Sequence, residues 1–162
     1  MSDVIRQTLN MLTVAQTVNI NIKMDFPAEK ITVRGDRVQI SQVFLNLIIN
    51  AVDAMEKCSR KSLVITLDRA GKFAEIIENL SARKDWDFDK YCCISIADSG
   101  IGISEELQKK VFEPFFTTKP VGAGTGMGLS MVYGTIRNHG GYVFLESTEG
   151  EGATFYIILP TE

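Results

Sequence analysis

Two asparagines, one aspartate and a run of closely spaced glycines are the residues of this 162-residue chain whose types and spacing suit chemistry. Asp98 ends the apolar run Tyr91 to Ala97 and opens the turn Asp98-Ser99-Gly100-Ile101-Gly102-Ile103. A carboxylate at the carboxyl end of a strand, beside glycines that let backbone approach closely, suits a small polar ligand at a sheet edge. Asn46 and Asn50 stand four residues apart in Asn46-Leu47-Ile48-Ile49-Asn50-Ala51, and Gln42 and Asp53 extend the same helical stripe. That stripe reads either as a solvent face or as a ligand set. Asparagine is a poor helix former and solvent faces favour lysine, glutamate or glutamine, which argues for ligands to a hydrated cation and its phosphates. Gly124-Thr125-Gly126-Met127-Gly128-Leu129 leads into a helix, where exposed N–H groups and the partial positive charge favour an anion. Between these boxes lies Phe112-Glu113-Pro114-Phe115-Phe116-Thr117-Thr118-Lys119. Lys119 reads equally as a point charge for a terminal phosphate or as a solvated loop lysine. The three phenylalanines divide between clamping a ligand and plain core. Taken together, the residues describe a nucleotide site.

The elements that must position them follow from periodicity. Asp3 to Gln16 carries apolar residues at helical spacing, and Asn19 to Phe26 alternates like a half-buried strand. Ile31 to Arg34 reads as a short second strand. Gly35-Asp36 supplies a break and an N-cap for a long helix from Arg37 to about Lys57, apolar on most of its surface and so buried on more than one side. Leu63 to Leu67 and Tyr91 to Ala97 read as strands, the second central. Asp68 to Lys90 is the least legible tract; Phe73 to Leu80 reads as a short helix or a strand extension, and Ser81 to Lys90 as a loop. Ser104 caps a short helix to about Val111, Phe112 to Ala123 is a lid, and Gly126 to Asn138 is a helix ended by Gly140-Gly141. Tyr142 to Glu146 and Ala153 to Leu159 close the chain as two strands. This order predicts an α/β sandwich with helices covering one face of a mixed sheet.

Composition narrows the function. A net charge of -3 and a pI near 5.3 give no basic face for nucleic acid. No apolar run approaches the ~20 residues of a membrane span, so the expectation is a cytoplasmic piece without direct membrane contact. Three cysteines, Cys58 and the adjacent Cys92 and Cys93, lack metal-ligand spacing and read as reduced thiols, and a single histidine argues against zinc.

The ordered set of an Asn-x-x-x-Asn helix, the Asp98 glycine turn, an aromatic lid and Gly-Thr-Gly-Met-Gly resembles the catalytic ATP-binding domain of histidine protein kinases. That superfamily also holds DNA gyrase B subunits, heat-shock chaperones and mismatch-repair ATPases. The resemblance covers roughly Ile20 to Pro160. It implies the Bergerat α/β sandwich, a two-layer fold with a mixed, mostly antiparallel sheet and an ATP lid, over residues 19–162. Residues 1–18 would be an N-terminal helix, read as the tail of a linker from a dimerisation domain. By resemblance Asn50 holds Mg²⁺ between the phosphates of ATP, with Asn46 one turn earlier on the same face. Asp98 accepts the adenine amino hydrogen, Gly100 and Gly102 shape the base pocket, and Thr154 supplies a hydroxyl that helps fix adenine. Asn46, Asn50 and Lys119 are the implied catalytic residues. Asp53, Ile103, Phe116, Thr118, Gly124, Thr125, Gly126, Met127, Gly128 and Leu129 complete the nucleotide contacts.

The implied reaction is donation of the terminal phosphoryl group of ATP to a histidine on a separate dimerisation domain, in two-component signalling with a response-regulator receiver domain. The other readings are an ATPase that drives a conformational cycle and a pseudokinase that binds partners without turnover. ATP-hydrolysing relatives usually carry a glutamate where Asn46 stands, and this helix offers no carboxylate there. His139, in Arg137-Asn138-His139-Gly140-Gly141, reads as a structural or capping histidine at a helix end.

Overall fold

The computed structural model describes residues 1–12, 17, 19–83, 85–118 and 126–162. Its centre is a five-stranded sheet in the order β1-β2-β3-β5-β4. The strands are β1 (Asn21–Asp25), β2 (Ser62–Arg69), β3 (Tyr91–Asp98), β4 (Tyr142–Thr148) and β5 (Gly152–Pro160). Only the β1–β2 pair is parallel; β2–β3, β3–β5 and β5–β4 are antiparallel. The expected mixed, mostly antiparallel sheet is therefore present. Ile31 to Arg34 makes no full strand, because only the single bridge Val33 to Thr161 forms there.

Helices α1 (Ser2–Asn10), α2 (Arg37–Ala54) and α5 (Gly128–Asn138) pack on one face of the sheet. The long α2 is opened by Asp36, whose carboxylate accepts the N–H groups of Val38 at 2.7 Å and Gln39 at 3.1 Å. It buries Ile40, Val43, Phe44, Leu47, Ile48 and Ala51 against the sheet. Alternation along the strands turns Leu63, Ile65 and Leu67 of β2, and Ile94 and Ile96 of β3, into the same core. Helix α1 belongs to that core too, since Ile5 is fully buried in it. The interhelical pair α2 and α5 runs antiparallel. Asn46 meets Gly128 at one end, and Asp36 meets His139 at the other.

The least legible tract, 68–90, ends β2 and then forms a 3-10 turn (Ala70–Phe73), helix α3 (Ala74–Leu80), which is the helical alternative for Phe73 to Leu80, and an aromatic loop. It covers part of the sheet's other face. Ala70 and Ile77 bury there with Cys93, Tyr156 and Ile158, and Trp86 packs edge-on to Tyr142 at a ring separation of 4.8 Å. Three cysteines are free thiols, Cys92 and Cys93 buried, and burial pushes the Cys92 thiol up to about 11. Among the described residues no helix is long and apolar enough to cross a membrane, and no cluster of three metal-binding side chains forms.

Candidate functional site

The carboxyl end of β3, the middle of α2 and the start of α5 converge on a cleft of about 760 Å³. Such a volume suits a small-molecule site. From α2, Asn46, Asn50 and Asp53 line the wall, so the polar stripe faces this cleft and only Gln42 of the four stands outside it. Gln42 donates its Nε2 hydrogen to Asn46 Oδ1 at 3.2 Å, and Asn46 Nδ2 points at the Gly128 carbonyl at 3.5 Å. Of the two amides, Asn46 alone thus reaches across to α5, and Gln42 of the same helix braces it from behind.

At the opposite end sits Asp98. Its carboxylate accepts the N–H of Gly100 at 2.8 Å, and the N–H of Ala153 also points at it. Burial raises its pKa above the ordinary carboxylate value, and the two N–H groups partly offset that. A half-hidden carboxylate whose bonds go to backbone N–H groups retains acceptor capacity for a donor entering the cleft. The turn beyond it includes Gly102, at φ 68°, where a Cβ would overlap the Thr148 carbonyl oxygen. No residue with a side chain fits there without moving β4.

Ile103, Phe116, Thr118, Gly126, Gly128 and Leu129 also line the cleft, as the resemblance implied. Gly100 lies behind the wall as a donor to Asp98, and Met127 is an exposed residue preceding α5. Lys119, Gly124 and Thr125 lie outside the described residues. The phenylalanines do split in role. Phe112 packs against Tyr133 and Phe155, Phe116 faces the cleft, and Phe115 is 75% exposed at φ 65°.

Thr154 is not brought to the site. Its neighbours Ala153 and Phe155 line the cleft, and alternation places Thr154 on the sheet's other face with Tyr156. The wall beside Asp98 therefore offers a methyl group where a hydroxyl was expected. Other contributors were missed from sequence: Ile101, Ser104, Leu107 and Val111 from the turn and from helix α4 (Glu105–Gln108) and its extension, and Glu149 from the β4–β5 hairpin. The apolar pattern of 101–111 was the signal for Ile101, Leu107 and Val111, and the helix-capping position for Ser104; no local pattern marks Glu149.

The chain matches the family described as histidine kinase-, DNA gyrase B-, and HSP90-like ATPase over residues 35–162. It is 39% identical over 160 residues to sensor kinase CckA of Brucella abortus, covering 99% of this chain and 16% of that protein. It is 36% identical over 154 residues to the signal transduction histidine-protein kinase AtoS of Escherichia coli, covering 92% of this chain and 22% of that one. The chain therefore spans less than a quarter of the length of either of these two relatives. Among solved structures it superposes on the catalytic domain of histidine kinase ThkA with a TM-score of 0.73 at 30% identity, covering 98% of this chain and 92% of that chain. ThkA is also known in complex with the response regulator protein TrrA, a chain matched here with a TM-score of 0.70 at 26% identity and 40% coverage of it. The sheet order, the cleft and these matches together place the chain in the histidine kinase-, DNA gyrase B-, and HSP90-like ATPase family, and it aligns there with histidine kinase catalytic domains.

Proposed function

We propose that this domain binds MgATP in the cleft and donates its terminal phosphoryl group to a histidine on a separate dimerisation domain of the same kinase, for onward transfer to a response-regulator receiver domain. The single observation that supports this best is the convergence of Asn46 and Asn50, Asp98 and the start of α5 on one cleft. Asp98 would accept the adenine amino hydrogen, and Asn50 would offer its amide oxygen to Mg²⁺, an ion that takes oxygen ligands. The N-terminus of α5 would hold phosphate oxygens through backbone N–H groups. Bound MgATP supplies the transferable phosphoryl group; the domain contributes position and charge complementarity.

The nucleophile has to come from outside this stretch of chain. The sequence has one histidine, His139, and both of its ring nitrogens are engaged. Nδ1 lies 2.7 Å from the Thr135 carbonyl oxygen, and Nε2 accepts the Asp36 N–H at 3.1 Å. His139 follows α5 eleven residues after Gly128, about 16 Å from the phosphate end at 1.5 Å per residue. Asn46, an amide, cannot take a proton from water. The domain incubated alone with MgATP is expected neither to phosphorylate itself nor to release phosphate at a useful rate. Addition of the acceptor-bearing dimerisation domain should produce transfer, read by intact mass. Phosphorylation of His139, or rapid phosphate release by the domain alone, would overturn the proposal.

A further inference from the structure

Ser147 and Gln108 do not line the cleft, yet they hold the wall that does. Ser147 Oγ accepts the Ile103 N–H at 2.8 Å and donates its own hydrogen to the Gly152 carbonyl at 2.7 Å. Gln108 Nε2 donates to the Ile103 carbonyl at 2.7 Å and to the Ser147 carbonyl at 2.9 Å. Both backbone polar groups of Ile103, a cleft residue, are thus held by two side chains from other elements. A fifth bond, Gly150 N–H to the Ile101 carbonyl at 2.7 Å, closes the same turn onto the β4–β5 hairpin.

A second line of contacts leads from Ser147 to Asp98. In the sheet register Ser147 is opposite Ala153, and Ala153 is opposite Asp98. Gly152, which receives the Ser147 hydroxyl, has φ 101°, and a Cβ there would overlap the Asp98 carbonyl oxygen. Ala153 then turns its N–H toward the Asp98 carboxylate. The carboxylate and the Ile103 wall therefore share one bracket, with Ser147 at its joint.

We propose that Ser147 and Gln108 are positioning residues for base recognition: by fixing the Asp98 carboxylate against the Ile103 wall, they set the preference of the cleft for adenine over guanine. This rests on the MgATP reading above. Adenine offers an amino hydrogen to the carboxylate, whereas guanine presents a carbonyl oxygen at that edge. The resulting penalty persists only while the carboxylate is held in register and water is kept out; a loosened turn lets the carboxylate rotate or admit a bridging water, and the discrimination falls. In that reading the phosphate end is built from α2 and α5, and among the described residues no hydrogen bond joins Ser147 or Gln108 to either helix. Affinity for the phosphate chain should accordingly survive their loss.

The test is calorimetric titration of the folded domain with ATP, GTP and inorganic tripolyphosphate, all with Mg²⁺, for the wild type and for Ser147→Ala, Ser147→Thr and Gln108→Met. Ser147→Ala and Gln108→Met should each lower the ATP-to-GTP preference by roughly fivefold to a hundredfold, the range for a buried group left without its partner. Tripolyphosphate affinity should stay at the wild-type value, and Ser147→Thr, which keeps the hydroxyl, should restore the preference. A lowered melting temperature with an unchanged ATP-to-GTP ratio would overturn the inference and leave the pair as fold stabilisers. Should Ser147→Ala fail to fold, Gln108→Met decides the matter, because it removes the amide at the end of a four-residue helix and leaves the hairpin sequence intact. Failure of the wild type to bind ATP at all would count against the MgATP reading itself, and the first titration shows it.

Discussion

At Asp98 the demands of folding oppose those of the proposed base recognition. Burial raises its folded pKa above the unfolded value, and the N–H groups of Gly100 and Ala153 offset only part of that. A carboxylate raised in this way favours the fold while protonated. Its contribution is full below the unfolded pKa and is lost as pH rises through the folded one, so at neutral pH the ionised group costs stability. Asp98→Asn should therefore abolish ATP binding without lowering the melting temperature of the nucleotide-free domain at pH 7. A drop of several degrees would make Asp98 a structural acid instead. Asn50 allows a different separation. Asn50→Ala should remove the Mg²⁺-dependent part of ATP affinity, because Mg²⁺ tolerates little change in its octahedral oxygen shell. Titrations in Mg²⁺ and in a chelator settle it, and an equal loss in both would take the metal away from Asn50. The asparagines were legible because amides are unusual along an apolar helix, and Asp98 because closely spaced glycines follow it at a strand end. Thr154 came from the resemblance alone, and alternation along β5 turns its neighbours Ala153 and Phe155 to the cleft instead.

The antiparallel pair α2 and α5 carries the two walls that meet at Asn46 and Gly128, and its far end is closed by one imidazole. His139 must hold its proton on Nδ1, facing the Thr135 carbonyl, so that Nε2 can accept from Asp36. Gly35 makes room for the ring, since a Cβ there would press on His139 Cδ2. His139→Ala should cost about 0.5 to 1.5 kcal/mol of stability through the lost bond to the Asp36 N–H, which is exposed and can be rehydrated. His139→Gln, which can present an oxygen near the Nε2 position, should recover part of it in denaturant melts. Equal destabilisation by both variants would mean that ring packing, rather than the hydrogen bond, matters. The helices were readable because their apolar periodicity is long and Asp36, Gly140 and Gly141 punctuate them. The tract 70–90 was only partly readable, a short helix being one of two expectations for Phe73 to Leu80. Its helix α3 has only seven residues, too short for a period to stand out, and its partner residues Tyr156 and Ile158 lie far along the chain.

Among the described residues, one long-helix core and one smaller aromatic layer sandwich the sheet, and the cleft is lined from the helical side. MgATP at a hundredfold excess over Kd should add about 2.7 kcal/mol to the unfolding free energy. For a domain of this size that is a melting shift of roughly 5 to 10 °C. No shift at millimolar nucleotide would contradict binding. The aromatic layer also has an optical consequence. The chain's single tryptophan, Trp86, lies in that layer, its buried indole N–H without a partner among the described residues, flanked by Phe88, Tyr91, Tyr142 and Phe144. None of these lines the cleft. An indole screened from water emits at short wavelength and shifts to the red when solvated. Intrinsic tryptophan emission should therefore stay nearly constant as nucleotide fills the cleft, yet shift sharply on unfolding, making Trp86 a built-in reporter of the outer layer that is blind to the ligand.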